Sequence, residues 1–173
     1  MLQRGPTADG YADQPVLAVA PDLLSRSHRR WRKAAGRVDG TSDPEEYHDL
    51  RKKGKRLRYA LEFLSGVYGK KATGKIVDPL KTLQDDLGRH QDLIVSADLL
   101  RQLTTNGSKL PSEISFAMGS LAERNLQAAA GLRVSLPDSK AYRKLIKGKA
   151  WKDLEKVAEK RGSEAKAKSA KRK

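Results

Sequence analysis

Between Asp43 and Gly69 the apolar residues Tyr47, Leu50, Leu57, Leu61, Leu64 and Tyr68 are separated by steps of three, four or seven. Such a row falls along one side of an α-helix and is incompatible with a strand, whose buried positions alternate. The start of the segment is equally explicit. Asp43 is placed to cap, Pro44 suits the first helical position, and Glu45 and Glu46 put negative charge where the helix dipole favours it. Gly69 provides the stop. A helix over about 43–68 with one apolar side needs further helices to cover that side.

The rest of the chain supplies them. After Pro21, with Asp22 as cap, Leu24, His28, Trp31, Ala35 and Val38 form one stripe, and Arg26, Arg30, Lys33 and Arg37 point away from it. A loop over 70–74 leads to a third helix carrying Ile76, Leu80, Leu83 and Leu87. Gly88 is read as its end, and Pro79 as confining its regular part to the C-terminal half. A fourth helix is expected from Gln91 to Leu103, before the Asn106-Gly107 turn. A fifth, capped by Ser112, carries Ile114, Met118, Leu121 and Leu126 and ends near Gly131. A sixth opens at Pro137-Asp138 and carries Tyr142, Leu145, Trp151, Leu154 and Val157. No segment alternates β-branched residues, and with 5% aromatics the core must rest on Leu, Ala, Val and Ile. The expectation is an all-α bundle of about six helices. Residues 1–20 read as an irregular lead-in, 21–160 as the helical domain, and 161–173 as a basic disordered tail.

Composition then narrows the function. The formal charge is +15, which points to nucleic acid, polyphosphate or an anionic membrane surface as partner. The chain has no cysteine, which removes disulfides, thiolate nucleophiles and cysteine-held zinc, and three histidines leave little for a metal centre. The first ten residues lack an apolar signal region, and no apolar run is long enough to cross a bilayer. The expected setting is the cytoplasm, with no membrane partner.

The second helix concentrates the charge. From His48 to Arg58 it holds His48, Arg51, Lys52, Lys53, Lys55, Arg56 and Arg58 against Asp49 alone. His48, Arg51, Lys52, Lys55 and Tyr59 fall within about a third of the circumference, away from the leucine stripe. Arg51 with Lys55, and Lys52 with Arg56, are like-charge pairs one turn apart, each unfavourable by a few tenths of a kcal/mol. A bound anion relieves that repulsion. The row extends over about 15 Å of helix axis, a length suited to a chain of phosphates, and its arginines and histidine donate directed hydrogen bonds.

The run Tyr47-His48-Asp49-Leu50-Arg51-Lys52-Lys53-Gly54-Lys55-Arg56-Leu57-Arg58-Tyr59-Ala60-Leu61-Glu62 resembles the signature helix of the CHAD domain, the conserved histidine α-helical domain. Leu80 to Gly88 followed by His90-Gln91-Asp92-Leu93 resembles the second signature of that family. The resemblance covers about residues 47–103. It implies two related four-helix bundles facing each other across a basic pore that binds inorganic polyphosphate. On that basis His48, Arg51, Lys55 and Arg58 face the polyanion, Lys81 joins them from the next helix, and Leu83, Leu87 and Tyr59 pack. The signature helix occurs once here where the full domain has it twice, and the matching segment looks most like the second repeat. One chain therefore supplies half of the pore wall.

These observations order the functional readings. The first is non-catalytic binding of inorganic polyphosphate, without cofactor, by His48, Arg51, Lys52, Lys55, Arg58 and Lys81, in the cytoplasm and at polyphosphate granules. The second is non-specific nucleic-acid binding, and the third a phosphohydrolase. A metal-dependent hydrolase would need His48-Asp49, His90 and Asp92 to converge with further carboxylates. His28 sits on an apolar stripe, where a packed histidine is expected, and Trp31 and Trp151 read as core. No Walker-type loop is present: Gly66 to Gly74 lacks the GK[ST] ending. A single basic helix also suggests a homodimer linked by the ligand, monomeric without it.

Overall fold

The computed structural model describes residues 16–105 and 110–170; the side chains of 17, 18 and 165–170 lie outside the description. Seven α-helices and one 3-10 turn make up the described residues, with no strand among them. They are α1 (Val16–Ala35), α2 (Pro44–Phe63), α3 (Ser65–Tyr68), α4 (Lys70–Thr105), α5 (Ser112–Ser135), the 3-10 turn Leu136–Asp138, α6 (Lys140–Lys147) and α7 (Lys149–Ala170).

The two N-terminal stripes are buried as their spacing requires. Leu24, Trp31, Ala35 and Val38 of the first, and all six residues of the α2 row, lie in one core. His28 is buried among them, its ring stacked on Trp151 at 3.8 Å. Asp43 caps α2 by accepting from the Glu45 amide. Asp39 organises the break before it, accepting from both the amide and the hydroxyl of Thr41. The helix expected to run unbroken to Tyr68 is interrupted at Leu64 and resumes as α3, and Gly69 stops it at φ +91°.

Several boundaries differ from the sequence reading, and packing accounts for them. α1 starts by Val16 and passes through Pro21, because Val19 and Ala20 extend its buried side into the region read as a lead-in. The loop over 70–74 is the first turn of α4, and the expected third and fourth helices are one helix of 36 residues. Pro79 removes one helical hydrogen bond, yet Ile76, Val77, Leu80 and Leu83 bury a continuous face across it. Gly88 lies mid-helix rather than at a terminus. Ser112 is the first residue of α5 and Pro111 precedes it as the cap position, and the helix passes Gly131 to Ser135. The expected sixth helix is two: Ser139 caps α6, and Gly148, at φ +68°, separates it from α7. α7 remains helical to Ala170, across much of the segment read as a disordered tail; Ala, Lys and Glu are strong helix formers. Among the described side chains none is buried beyond Ala158.

α1, α2, α7 and the N-terminal half of α4 enclose the core, with α6 returning along α4. Tyr142 of α6 ties back to α1, its hydroxyl donating to the Ala35 carbonyl at 2.6 Å. The C-terminal half of α4 continues beyond this bundle with α5 as its antiparallel helical neighbour. Asn125 to Ser96 at 3.1 Å and Arg133 to His90 at 3.3 Å set that register. The stripe expected on α5 is only partly covered: Ala122 and Ala129 alone are fully buried, and Ile114 and Leu121 are exposed. No described helix is long and apolar enough to cross a membrane.

Candidate anion-binding surface

α2 buries its leucine row against α1 and α4, which leaves His48, Lys52, Lys55 and Tyr59 on the opposite side. Arg51 and Arg58 lie at the edge facing α4. Their Nε atoms are buried without a hydrogen-bond partner, so the stems are fixed in the seam. The Arg51 guanidinium lies across α4 at Gly88, with Nη2 3.6 Å from where a Cβ would stand. Gly88, read from sequence as a stop, is instead the place where that guanidinium crosses the helix.

Across the same seam, His48 Nδ1 lies 3.1 Å from the side-chain oxygen of Gln91. That contact orients the ring and directs Nε2 elsewhere. Lys81 comes from α4 near the other end of the row, with its Nζ 3.4 Å from Glu62; the same carboxylate is 3.9 Å from Arg58 Nη1. Lys52 is 3.7 Å from Glu45, and Lys53 pairs with Asp49. Among the described residues no carboxylate lies within 4.0 Å of Arg51 or Lys55. The six sequence-derived site residues thus share the exposed side of α2 and its seam with α4. The two central cations lack counter-charges, and the ends are partly neutralised.

Glu62 and Gln91 were not singled out from sequence. Glu62 stands one turn after Arg58, a spacing that signals an ion pair; nothing in the sequence connects Gln91 with His48 across the seam. Tyr59 departs from the packing role the resemblance implies. It is 52% exposed, with the Arg58 guanidinium 4.8 Å from its ring centre, and Phe63, one turn on, is 78% exposed. Leu83 and Leu87 do pack in the core.

The other edge of α2 is also basic. A groove of about 200 Å³ between α1 and α2 is lined by Arg26, Arg30, Lys53 and Arg56.

The remaining histidines are structural. Burial, with Arg32 nearby, lowers the pKa of His28 to about 4. Burial and the adjacent Arg133 also push His90 down, and its ring lies 5.0 Å from that of Tyr47. Asp49 turns to Lys53 while His48 turns to Gln91, so the His-Asp dipeptide does not converge on one point. Among the described residues no three His, Cys, Asp or Glu side chains come together to hold a metal ion.

Comparison with known proteins bears on this arrangement. The CHAD domain family model matches residues 1–101, which include all six site residues and the α2–α4 seam. Neither curated proteins nor solved structures gave a match. With more than half of its length matched, the chain belongs to the CHAD domain family.

Proposed function

We propose that this protein binds inorganic polyphosphate along the exposed side of α2, without catalysis and without a cofactor. One observation carries the reading. Among the described residues Arg51 and Lys55 stand in mid-row with no carboxylate in ion-pairing range, flanked by His48, Lys52, Arg58 and Lys81 over about 15 Å of helix. Surface lysines and arginines of ordinary helices alternate with acids, and uncompensated neighbours repel. A linear chain of phosphates supplies negative charge at each turn. Binding is driven by charge-assisted hydrogen bonds and by the counter-ions released from the polyanion. The proposed setting is the cytoplasm, at polyphosphate granules.

The test is isothermal titration with polyphosphate. Arg51→Ala with Lys55→Ala should lower affinity by roughly 10²–10³-fold, at about 1.5–3 kcal/mol for each charged contact less some compensation by neighbours. Lys152→Ala with Lys156→Ala removes the same charge from the exposed side of α7. Equal losses from the two pairs would show that net charge alone matters and that α2 is not the site.

A second reading, single-stranded nucleic acid, is favoured by Tyr59 and Phe63. They extend the row of cations with two exposed rings on the same side of α2. Tyr59→Ala with Phe63→Ala separates the two. Under the polyphosphate reading the double variant keeps its polyphosphate affinity and wild type holds polyphosphate against excess oligonucleotide. A selective loss of oligonucleotide binding, with oligonucleotide the tighter wild-type ligand, would favour the second.

A further inference from the structure

The α4–α5 hairpin has an unusual surface for this chain. Residues 91–135 contain four acidic and four basic side chains, so they are formally neutral in a protein of +15. The whole excess of positive charge lies elsewhere. The hairpin also carries most of the large aliphatic side chains that are exposed among the described residues. Leu99 and Leu103 of α4 are 55% and 42% exposed, and Ile114 and Leu121 of α5 are 46% and 47% exposed.

These four side chains lie on one side of the hairpin. On α4, Leu99 and Leu103 fall on the flank of Ser96, and on α5, Ile114 and Leu121 fall on the flank of Asn125. The hydrogen bond between Asn125 and Ser96 marks that flank as common to both helices. Two helices alone cannot cover each other's apolar sides, and among the described residues α4 is the helix on which α5 chiefly packs.

We infer that this side of the hairpin is a homodimer interface, occupied by the same hairpin of a second copy to form an intermolecular four-helix bundle. Neutrality favours a second copy, because two chains of +15 can meet here without bringing their excess charge together. The rim is self-complementary as well. Glu113 and Arg124 border the apolar strip of α5 on one edge, so an antiparallel two-fold near residues 118 and 119 sets each Glu113 opposite the other copy's Arg124. The area is sufficient. From Gln91 to Thr105 α4 extends about 22 Å and α5 about 36 Å, and two helices side by side are about 20 Å wide. Each copy thus covers on the order of 400–700 Å², or roughly 800–1,400 Å² in total, reaching the lower range of stable interfaces. A micromolar dimer is expected.

This dimer differs from one bridged by ligand across basic helices: it forms without polyphosphate and persists in high salt. Sedimentation equilibrium of the ligand-free protein at tens of micromolar, in 0.15 M and 1 M salt, is the test. A dimer is expected in both. Leu99→Glu with Leu121→Glu should be monomeric, with the helical signal and thermal midpoint of a folded protein, since both positions are exposed. Glu113→Arg should weaken the dimer several-fold, and adding Arg124→Glu should restore it. A monomer in wild type, or a dimer unaffected by the two leucine substitutions, overturns the inference. The polyphosphate titration of the monomeric variant is read separately, so failure of the dimer leaves the reading of α2 standing.

Discussion

If polyphosphate binds along α2 as proposed, Glu62 competes with it for Arg58 and Lys81, and replacing it by Gln should tighten binding. The carboxylate lies 3.9 Å from Arg58 and 3.4 Å from Lys81, so a phosphate reaching either cation must displace it. Each pair is partly solvated and worth about 0–1 kcal/mol. A displaced carboxylate left about 4 Å from a phosphate adds about 1 kcal/mol of repulsion in water. Together these give about 1–3 kcal/mol, or roughly 5–150-fold in affinity for Glu62→Gln. Salt dependence supplies a second readout. If two further phosphates are fully neutralised in the variant, the log–log slope of affinity on salt steepens by about 0.7 for each. Asp153→Asn removes the same negative charge near Lys75, away from α2, and controls for net charge. Titrations at four salt concentrations measure both quantities. Equal or weaker binding by Glu62→Gln, or a gain matched by Asp153→Asn, would refute the competition. Glu62 would then be a positioning residue for Arg58.

Gly88→Ala should stabilise the protein by up to about 1 kcal/mol in urea unfolding, because the added methyl meets Arg51 at ordinary contact distance. Gly88→Leu should displace that guanidinium and lower polyphosphate affinity several-fold at unchanged helicity. His28 titrates near 6.5 unfolded and at about 4 folded, so its stabilising effect is full above 6.5 and is lost as pH falls through that interval. The loss reaches up to about 3 kcal/mol at about 1.4 kcal/mol per unit, less what solvent around the ring screens. Acid unfolding of His28→Phe should be correspondingly flatter between pH 6.5 and 4. Truncation after residue 160 should leave the thermal midpoint within a few degrees, since no described side chain beyond Ala158 is buried, while weakening every polyanion alike.

Helical class and the α1 and α2 stripes were legible because each buried residue repeats at helical spacing and each helix must cover its neighbour. Boundaries were less so, for a consistent physical reason. Pro21, Pro79 and Gly88 are local signals of a break, and each is overridden where burial continues on both sides of it. Gly69 and Gly148 break the chain in earnest, because there the backbone takes positive φ. The cations of α2 were readable from charge and periodicity. Their partners were not: Glu45 follows from the cap region only once Lys52 is known to face it, and Gln91 and Gly88 belong to another helix whose register no pattern in α2 specifies.

The excess charge and most of the exposed aliphatic side chains of the described residues lie apart in this chain, and the separation has an energetic logic. α2 cannot dock on a copy of itself without ligand, since its row from His48 to Arg58 carries several uncompensated charges. The hairpin cannot bind a polyanion strongly, since its charges cancel. Placing the two properties at different ends of α4 lets each act without opposing the other. The Val95, Leu99 and Leu103 stripe begins where α2 has left α4, one turn beyond the His48–Gln91 contact. Two chains joined through their hairpins would therefore present two basic rows on one particle. A polyphosphate long enough to reach both would bind the second row at an effective concentration set by the particle, raising avidity without any new contact.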